Sequence, residues 1–166
     1  GLKQSQSVEL AMKLHAALAA GGNAREADNF AASWAREHRK DATFRLYLAR
    51  AAMTKQDYAT AAREFREVTE LQPNNAVAFN NLAWALGQVK DPKAVEYAEK
   101  ANKLAPNQPP IMDTLGTLLV EKGDTERGVA LLRDAVRLAP TTPALRLNLA
   151  KALIKADQRD AARKEL

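Results

Sequence analysis

Apolar side chains recur along this chain three and four residues apart, and the stretches between them are short and polar. Phe79, Leu82, Ala83 and Leu86 fall on one face of a helix. Turn signals follow such stretches at Gly22-Asn23, Gln56-Asp57 and Gly123-Asp124. A second amphipathic stretch then runs to a Leu-x-Pro element: Leu71-Gln72-Pro73, Leu104-Ala105-Pro106 or Leu138-Ala139-Pro140. Proline disfavours helix in the residue before it and cannot continue the hydrogen-bond ladder, while its fixed φ can start the next helix. The pattern predicts an all-α chain of helical hairpins.

The three prolines stand 33 and 34 residues apart. Units of that length begin at Val8, Ala42, Ala76, Pro109 and Pro143, and the seventh position of each is Leu14, Leu48, Leu82, Leu115 and Leu149. The eighth position reads His15, Ala49, Ala83, Gly116 and Ala150, and the twentieth reads Ala27, Ala61, Ala94, Gly128 and Ala162. Small residues at those two points allow paired helices to approach closely. The expected division is a single array over 1–166, with repeats at 8–41 (divergent), 42–75, 76–108, 109–142 and 143–166 (truncated). In the third unit the turn Gln88-Val89-Lys90-Asp91-Pro92 reads as one residue short, which accounts for the 33-residue spacing.

Composition narrows the class further. Of the 166 residues 46% are apolar, about one in five is alanine, and isoleucine occurs only at Ile111 and Ile154, a balance that favours helices over sheets. There is no cysteine, which removes thiol nucleophiles, disulfides and thiolate metal sites. No apolar run is long enough to span a bilayer, and Gly1 to Ser7 lack the basic and apolar regions of a signal peptide, a pattern that fits either a cytoplasmic protein or a fragment whose targeting segment is trimmed. The net charge of +5 is spread through intermixed pairs such as Arg63-Glu64 and Arg66-Glu67. Such mixing marks solvated helix faces, and nucleic acid is not an expected partner. Glu64, Glu67 and Glu70 are expected on one such face, paired with Arg63 and Arg66.

The repeat pattern resembles the tetratricopeptide repeat (TPR), a 34-residue helix-turn-helix with Leu and a small residue at positions seven and eight, Ala at twenty and Pro at thirty-two. The resemblance runs from Val8 to Leu166. It implies an α-solenoid, a right-handed superhelix of antiparallel hairpins. Repeat one departs from the pattern with His15 at position eight, Trp34 at twenty-seven, for which Ala31 is expected to make room, and Arg39 in place of proline. Gly128 stands in a helix interior, a choice that costs about 0.5–1 kcal/mol unless tight packing demands it.

A closer likeness covers Asn80 to Leu166. The runs Asn80-Asn81-Leu82-Ala83-Trp84-Ala85-Leu86, Ala98-Glu99-Lys100-Ala101, Asp113-Thr114-Leu115-Gly116 and Leu131-Leu132-Arg133-Asp134-Ala135-Val136 are similar to TPR lipoproteins of the PEP-CTERM and exosortase system. That likeness implies a bacterial envelope location on the periplasmic face, a lipid anchor outside this sequence, and a role beside exopolysaccharide production and protein sorting.

Catalytic chemistry is sparse. His15 and His38 lack a ligand-spaced partner and read as structural. No phosphate loop occurs, and Ser5, Ser7 and Ser33 sit in no nucleophile elbow. The expectation is a scaffold with neither catalysis, cofactor nor metal. Function in such an array comes from shape. In the TPR family positions two, five, six, nine, twelve and thirteen of the first helix face a ligand groove. Here they give Tyr47, Arg50, Asn80, Asn81, Trp84, Gln88, Asp113, Thr114, Thr117, Asn148 and Lys151 as candidates. Carboxamides can bond a peptide backbone as donor and acceptor, and aromatic rings supply anchoring area.

The family's carboxylate clamp is not among the expected chemistries. The windows that would carry it hold Met12, Ala16, Tyr47, Val77 and Asn81, or Leu46, Arg50, Asn81, Pro110 and Thr114, or Asn80, Trp84, Thr114, Ala144 and Asn148, none of them the basic set it needs. The function expected is a peptide- or protein-binding scaffold; the alternative is a structural spacer of a polysaccharide-export complex with an empty groove. Repeat five stops at Leu166, which leads us to expect a piece of a longer array whose seam of Leu149, Leu153 and Leu166 drives weak end-to-end self-association.

Overall fold

The structure is a computed structural model that describes residues 2–165, with side chains from residue 7 onward. Among the described residues there are ten helices and no strand. The chain falls into two compact units, Gly1–Pro73 and Asn74–Leu166. The first holds α1 (Leu2–Ala20), α2 (Ala24–Glu37), α3 (Ala42–Thr54) and α4 (Tyr58–Leu71). The second holds α5 (Ala76–Gln88), α6 (Ala94–Leu104), α7 (Pro109–Lys122), α8 (Thr125–Leu138), α9 (Pro143–Lys155) and α10 (Arg159–Glu165).

All five hairpins turn in the same way. The residue at position fifteen takes a left-handed φ: Gly22 at 81°, Gln56 at 58°, Lys90 at 57°, Gly123 at 101° and Asp157 at 57°. The next amide then reaches back five residues, from Asn23 to Leu18, Asp57 to Ala52, Asp91 to Leu86, Asp124 to Leu119 and Gln158 to Leu153, at 2.8–3.1 Å. This six-to-one bond satisfies a carbonyl that the helix end leaves unpaired and reverses the chain tightly. Several helices then start on a side-chain cap: Asp41 accepts from the amides of Thr43 and Phe44, Asp57 from Thr60, and Asn75 from Ala78. In α7 and α9 proline occupies the first turn, where no amide is needed.

The short third repeat is short in a different place from the one its sequence suggested. Lys90 and Asp91 repeat the common turn without loss. The missing residue falls after them, in the first turn of α6, which has 11 residues where α4 and α8 have 14. Pro92 has no amide to offer that turn, and Asp91 instead accepts from the Lys93 amide at 2.8 Å.

Close helix approach concentrates at two glycines. A Cβ at Gly128 would lie 2.6 Å from the Gly116 carbonyl oxygen and 2.5 Å from Val120 Cγ2; one at Gly116 would lie 2.9 Å from the Gly128 oxygen. α7 and α8 therefore cross backbone to backbone, and the helical glycine at 128 answers to packing. Around that crossing Val120, Val129, Leu132, Leu149 and Leu153 form one apolar cluster, with Met112, Ala135 and Leu145 in another and Phe79, Ala101 and Ile111 in a third. Leu149 and Leu153, expected at an exposed seam, are each only 1% exposed, because Val120 on α7 and Ala162 on α10 lie in the same cluster. Leu166, the third residue of that seam, lies outside the described residues.

In the first unit Phe44, Phe65 and Val68 are fully buried. The seventh-position rule fails in α1: Leu14 is half exposed, and the buried face is Ala11 and His15 instead. A second departure concerns Glu64, which is buried rather than on a solvated face. Its two oxygens take Nη1 of Arg45 and Nε of Arg63, each at 3.1 Å, and the other Arg45 nitrogen reaches Glu67 at 3.3 Å. The partner that makes burial tolerable comes from α3, since a buried carboxylate needs a paired cation.

Candidate functional site

The eleven candidates divide between the units. In the first, Tyr47 is partly buried, its hydroxyl 2.9 Å from His15 Nδ1 and its ring edge-on to the imidazole at 5.4 Å. Burial raises the Tyr47 pKa above its ordinary value and lowers that of His15, with Lys55 adding to the His15 shift and Asp28 opposing it. This pair is a packed polar contact inside the aromatic group that includes Phe44. Arg50 on the same helix is exposed.

His38 is also in packing: it stacks on Trp34 with centroids 3.8 Å apart, while the indole N–H donates to Asp41 at 3.0 Å. Asp41 at the same time caps α3, so a tryptophan-histidine-aspartate corner stands where the other repeats carry proline. Ala31, expected beside the indole, lines a cavity of about 560 Å³ together with His15, Asp28, Leu48, Lys55 and Glu64.

In the second unit the first helices α5, α7 and α9 pack side by side in order. The clearest link among the candidates joins α7 to α9. Asn148 Nδ2 donates to both oxygens of Asp113, at 3.1 and 2.9 Å. Burial pushes the Asp113 carboxyl above its ordinary value, and the Asn148 hydrogen bond draws it partly back. Among the described residues no basic side chain is paired with it within salt-bridge distance.

Beside this bridge is a cavity of about 180 Å³, whose lining includes Thr117, Asn148 and Lys151 along with Glu121 and Lys155. The last two stand at position thirteen of their repeats, so the same positional rule that placed the others points to them.

The remaining candidates are placed less uniformly. Trp84 is 37% exposed and Gln88 is exposed, on the same helix as Asn80 and Asn81, which are partly buried. The Asn80 carboxamide oxygen is buried without a hydrogen-bond partner among the described residues. Thr114 is turned inward: it is buried, and its hydroxyl donates to the Pro110 carbonyl one turn back at 3.1 Å. A threonine in a helix interior has that acceptor within reach, and the sequence alone does not show which way the hydroxyl turns.

Among the described residues no helix is long and apolar enough to cross a membrane. The family model described as a tetratricopeptide repeat matches residues 119–166. Two curated relatives match: the small glutamine-rich tetratricopeptide repeat-containing protein 2 of Mycosarcoma maydis, 30% identical over 100 residues, and a TPR repeat-containing protein of Pseudomonas aeruginosa, 31% identical over 91. The matches cover 60% and 54% of this chain but only 28% and 15% of those proteins.

Solved structures share the fold over nearly the whole chain. MamA from Desulfovibrio magneticus superposes with a TM-score of 0.77 at 23% identity, covering 95% of this chain and 90% of that one. PilW, a widely conserved type IV pilus biogenesis factor, gives 0.73 at 21%, covering 96% and 76%. YrrB, a TPR protein with an unusual peptide-binding site, gives 0.70 at 17%, covering 93% and 80%. Hairpins closed by one repeated turn, their 33- and 34-residue register and these likenesses give the chain the α-solenoid fold of tetratricopeptide-repeat proteins, with the repeat's own family model matching residues 119–166.

Proposed function

We propose that this chain is a non-catalytic scaffold whose α5-α7-α9 face binds an extended segment of a partner protein. The observation that carries the reading is the Asn148–Asp113 bridge. It holds a partly buried carboxylate, with no paired cation among the described residues, beside a cavity between α7 and α9. A carboxylate kept in that state is costly to the fold and useful to a ligand that brings an N–H or a cation. Trp84 offers exposed ring area along the same row of helices. The peptide-binding site of YrrB supports a peptide as the class of ligand.

The setting we infer is a bacterial envelope assembly linked to exopolysaccharide production and PEP-CTERM protein sorting, with any membrane attachment through an anchor outside this sequence. What supports it is the phrase-by-phrase likeness from Asn80 to Leu166, together with a fold shared with a pilus biogenesis factor.

The test is a peptide-library selection on the purified chain, followed by titration of the selected peptides against intrinsic fluorescence. Binding should change the emission of Trp84, and the change should vanish in Trp84→Phe. Asn81→Ala and Asn148→Ala should weaken the peptide at least about tenfold, a loss on the order of 1.4 kcal/mol, with helicity unchanged. Glu99→Ala and Arg133→Ala, on second helices, should not. Stronger loss from that second pair, or no saturable peptide binding at all, would instead favour a spacer whose first-helix face is empty.

A further inference from the structure

We propose that the cavity in the first unit binds a free amino acid with an apolar side chain, which sits in the space left at Ala31 while its charged ends meet Lys55 and Asp28. The room comes from one position of the repeat. Position twenty-four holds Phe65 in repeat two and Leu132 in repeat four, 1% and 0% exposed, but Ala31 in repeat one. The shortened third repeat also has an alanine there, Ala98, and its neighbours close over it completely. Ala31 is instead only partly buried and forms part of the cavity wall.

A leucine on the same wall shows the same deficit. At position seven Leu82, Leu115 and Leu149 are buried, yet Leu48 is only partly so, although α1 and α2 both pack on its helix. Ala35, Ala51 and Ala52 complete an apolar lining of small side chains. The volume of about 560 Å³ lies within the range of about 300–1,000 Å³ that small-molecule sites occupy.

The charged groups around this lining are of both signs, and most are already engaged. Arg63 binds Glu64 at 3.1 Å, and Asp57 accepts the Thr60 amide as the cap of α4. Lys55 and Asp28 make no side-chain hydrogen bond or ion pair among the described residues. Both act on the His15 imidazole, Lys55 lowering its pKa and Asp28 raising it, so the two charges stand near one ring.

His15 itself lines the cavity and is only 7% exposed. Its Nδ1 is taken by the Tyr47 hydroxyl, which leaves Nε2 without a hydrogen-bond partner among the described residues. With the proton on Nε2 the ring donates to a carboxylate; with the proton on Nδ1 it accepts from an ammonium group. A ligand carrying one charge of each sign answers Lys55, Asp28 and His15 together, whereas a simple acid or amine leaves one charged residue unanswered.

The probes are L-leucine and L-phenylalanine, titrated into the isotopically labelled chain and followed by two-dimensional NMR. Binding should saturate and shift the signals of Ala31, Ala35, Leu48 and Ala51. Isocaproate, which lacks the ammonium group, and isoamylamine, which lacks the carboxylate, should each bind at least about tenfold more weakly than leucine. Asp28→Asn and Lys55→Gln replace exposed side chains and should weaken leucine binding to a similar degree with helicity unchanged. Ala31→Leu should raise the melting temperature by filling the cavity and should abolish binding; Ala35→Val is the milder filler if that variant loses helicity.

N-acetyl-leucinamide, which has the side chain but neither charge, identifies a slot for a side chain of a protein partner. Its binding as tightly as free leucine overturns the proposal. So does equal binding of isocaproate or isoamylamine, undiminished binding by the charge or cavity-filling variants, or the lack of any saturable binding by leucine and phenylalanine.

Discussion

At the scale of single residues, the chain separates positions that hold the fold from positions that burden it. Leu82 is fully buried at the seventh position of its repeat. Leu82→Ala removes that side chain from a packed interior, and denaturant unfolding should show a loss of about 2–5 kcal/mol. Asp113 is the opposite case. Its folded carboxyl titrates above the unfolded value of 3.8, so the native state holds its proton more tightly. That contribution is present below the unfolded value and is lost as pH rises through the folded one. Asp113→Asn should therefore raise the melting temperature at neutral pH and give no such gain in acid below the ordinary carboxylate value; an equal effect at both would show that the charge is not the cause. The same variant should weaken the peptide proposed for this face. Sequence identified the buried leucine because a seven-position regularity marks it. It misjudged Glu64, which stands among the charged Arg63, Arg66 and Glu67, because the residue that explains its burial, Arg45, lies 19 positions away on another helix.

At the scale of the helix pair, what could be read in advance was the hairpin and what could not was its fine register. Glycine or a polar residue followed by Asn, Asp or Gln announces a left-handed turn and a new helix, and all five hairpins adopt it. The deletion in the third repeat was misplaced because proline at 92 attracts attention to the turn, whereas the turn geometry ends at Asp91 and the shortening falls on α6. Leu14 kept the sequence period yet lost its partner, since periodicity reports a face and not whether anything lies against it. Gly128 shows how packing can reverse a propensity argument. Alanine there would favour the isolated helix by about 1 kcal/mol. Its Cβ would nonetheless meet the Gly116 carbonyl and Val120 at 2.5–2.6 Å, and overpacking of that kind costs about 1–3 kcal/mol. Gly128→Ala should thus lower stability in chemical denaturation, by roughly 1 kcal/mol or more, and a gain would mean that α7 and α8 separate at little cost.

At the scale of the whole molecule, a solenoid's stability is a sum of hairpins and of the interfaces between neighbours, so protection from exchange should follow how much each helix buries. In the second unit α7 buries Ile111, Met112, Leu115, Leu118, Leu119 and Val120 with their small neighbours, and is flanked by α8 and α9 in shared clusters; α10 buries only Ala162. In the first unit α4 buries Phe65, Val68 and the Glu64 ion pair, while α2 buries only Ala27 and borders the cavity beside His15. Hydrogen exchange should accordingly be slowest in α7 of the second unit and α4 of the first. α10 and α2 should exchange on the order of 100-fold faster or more, through local opening that leaves their units folded. Protection that is uniform along the chain would mean instead that it unfolds as one cooperative block.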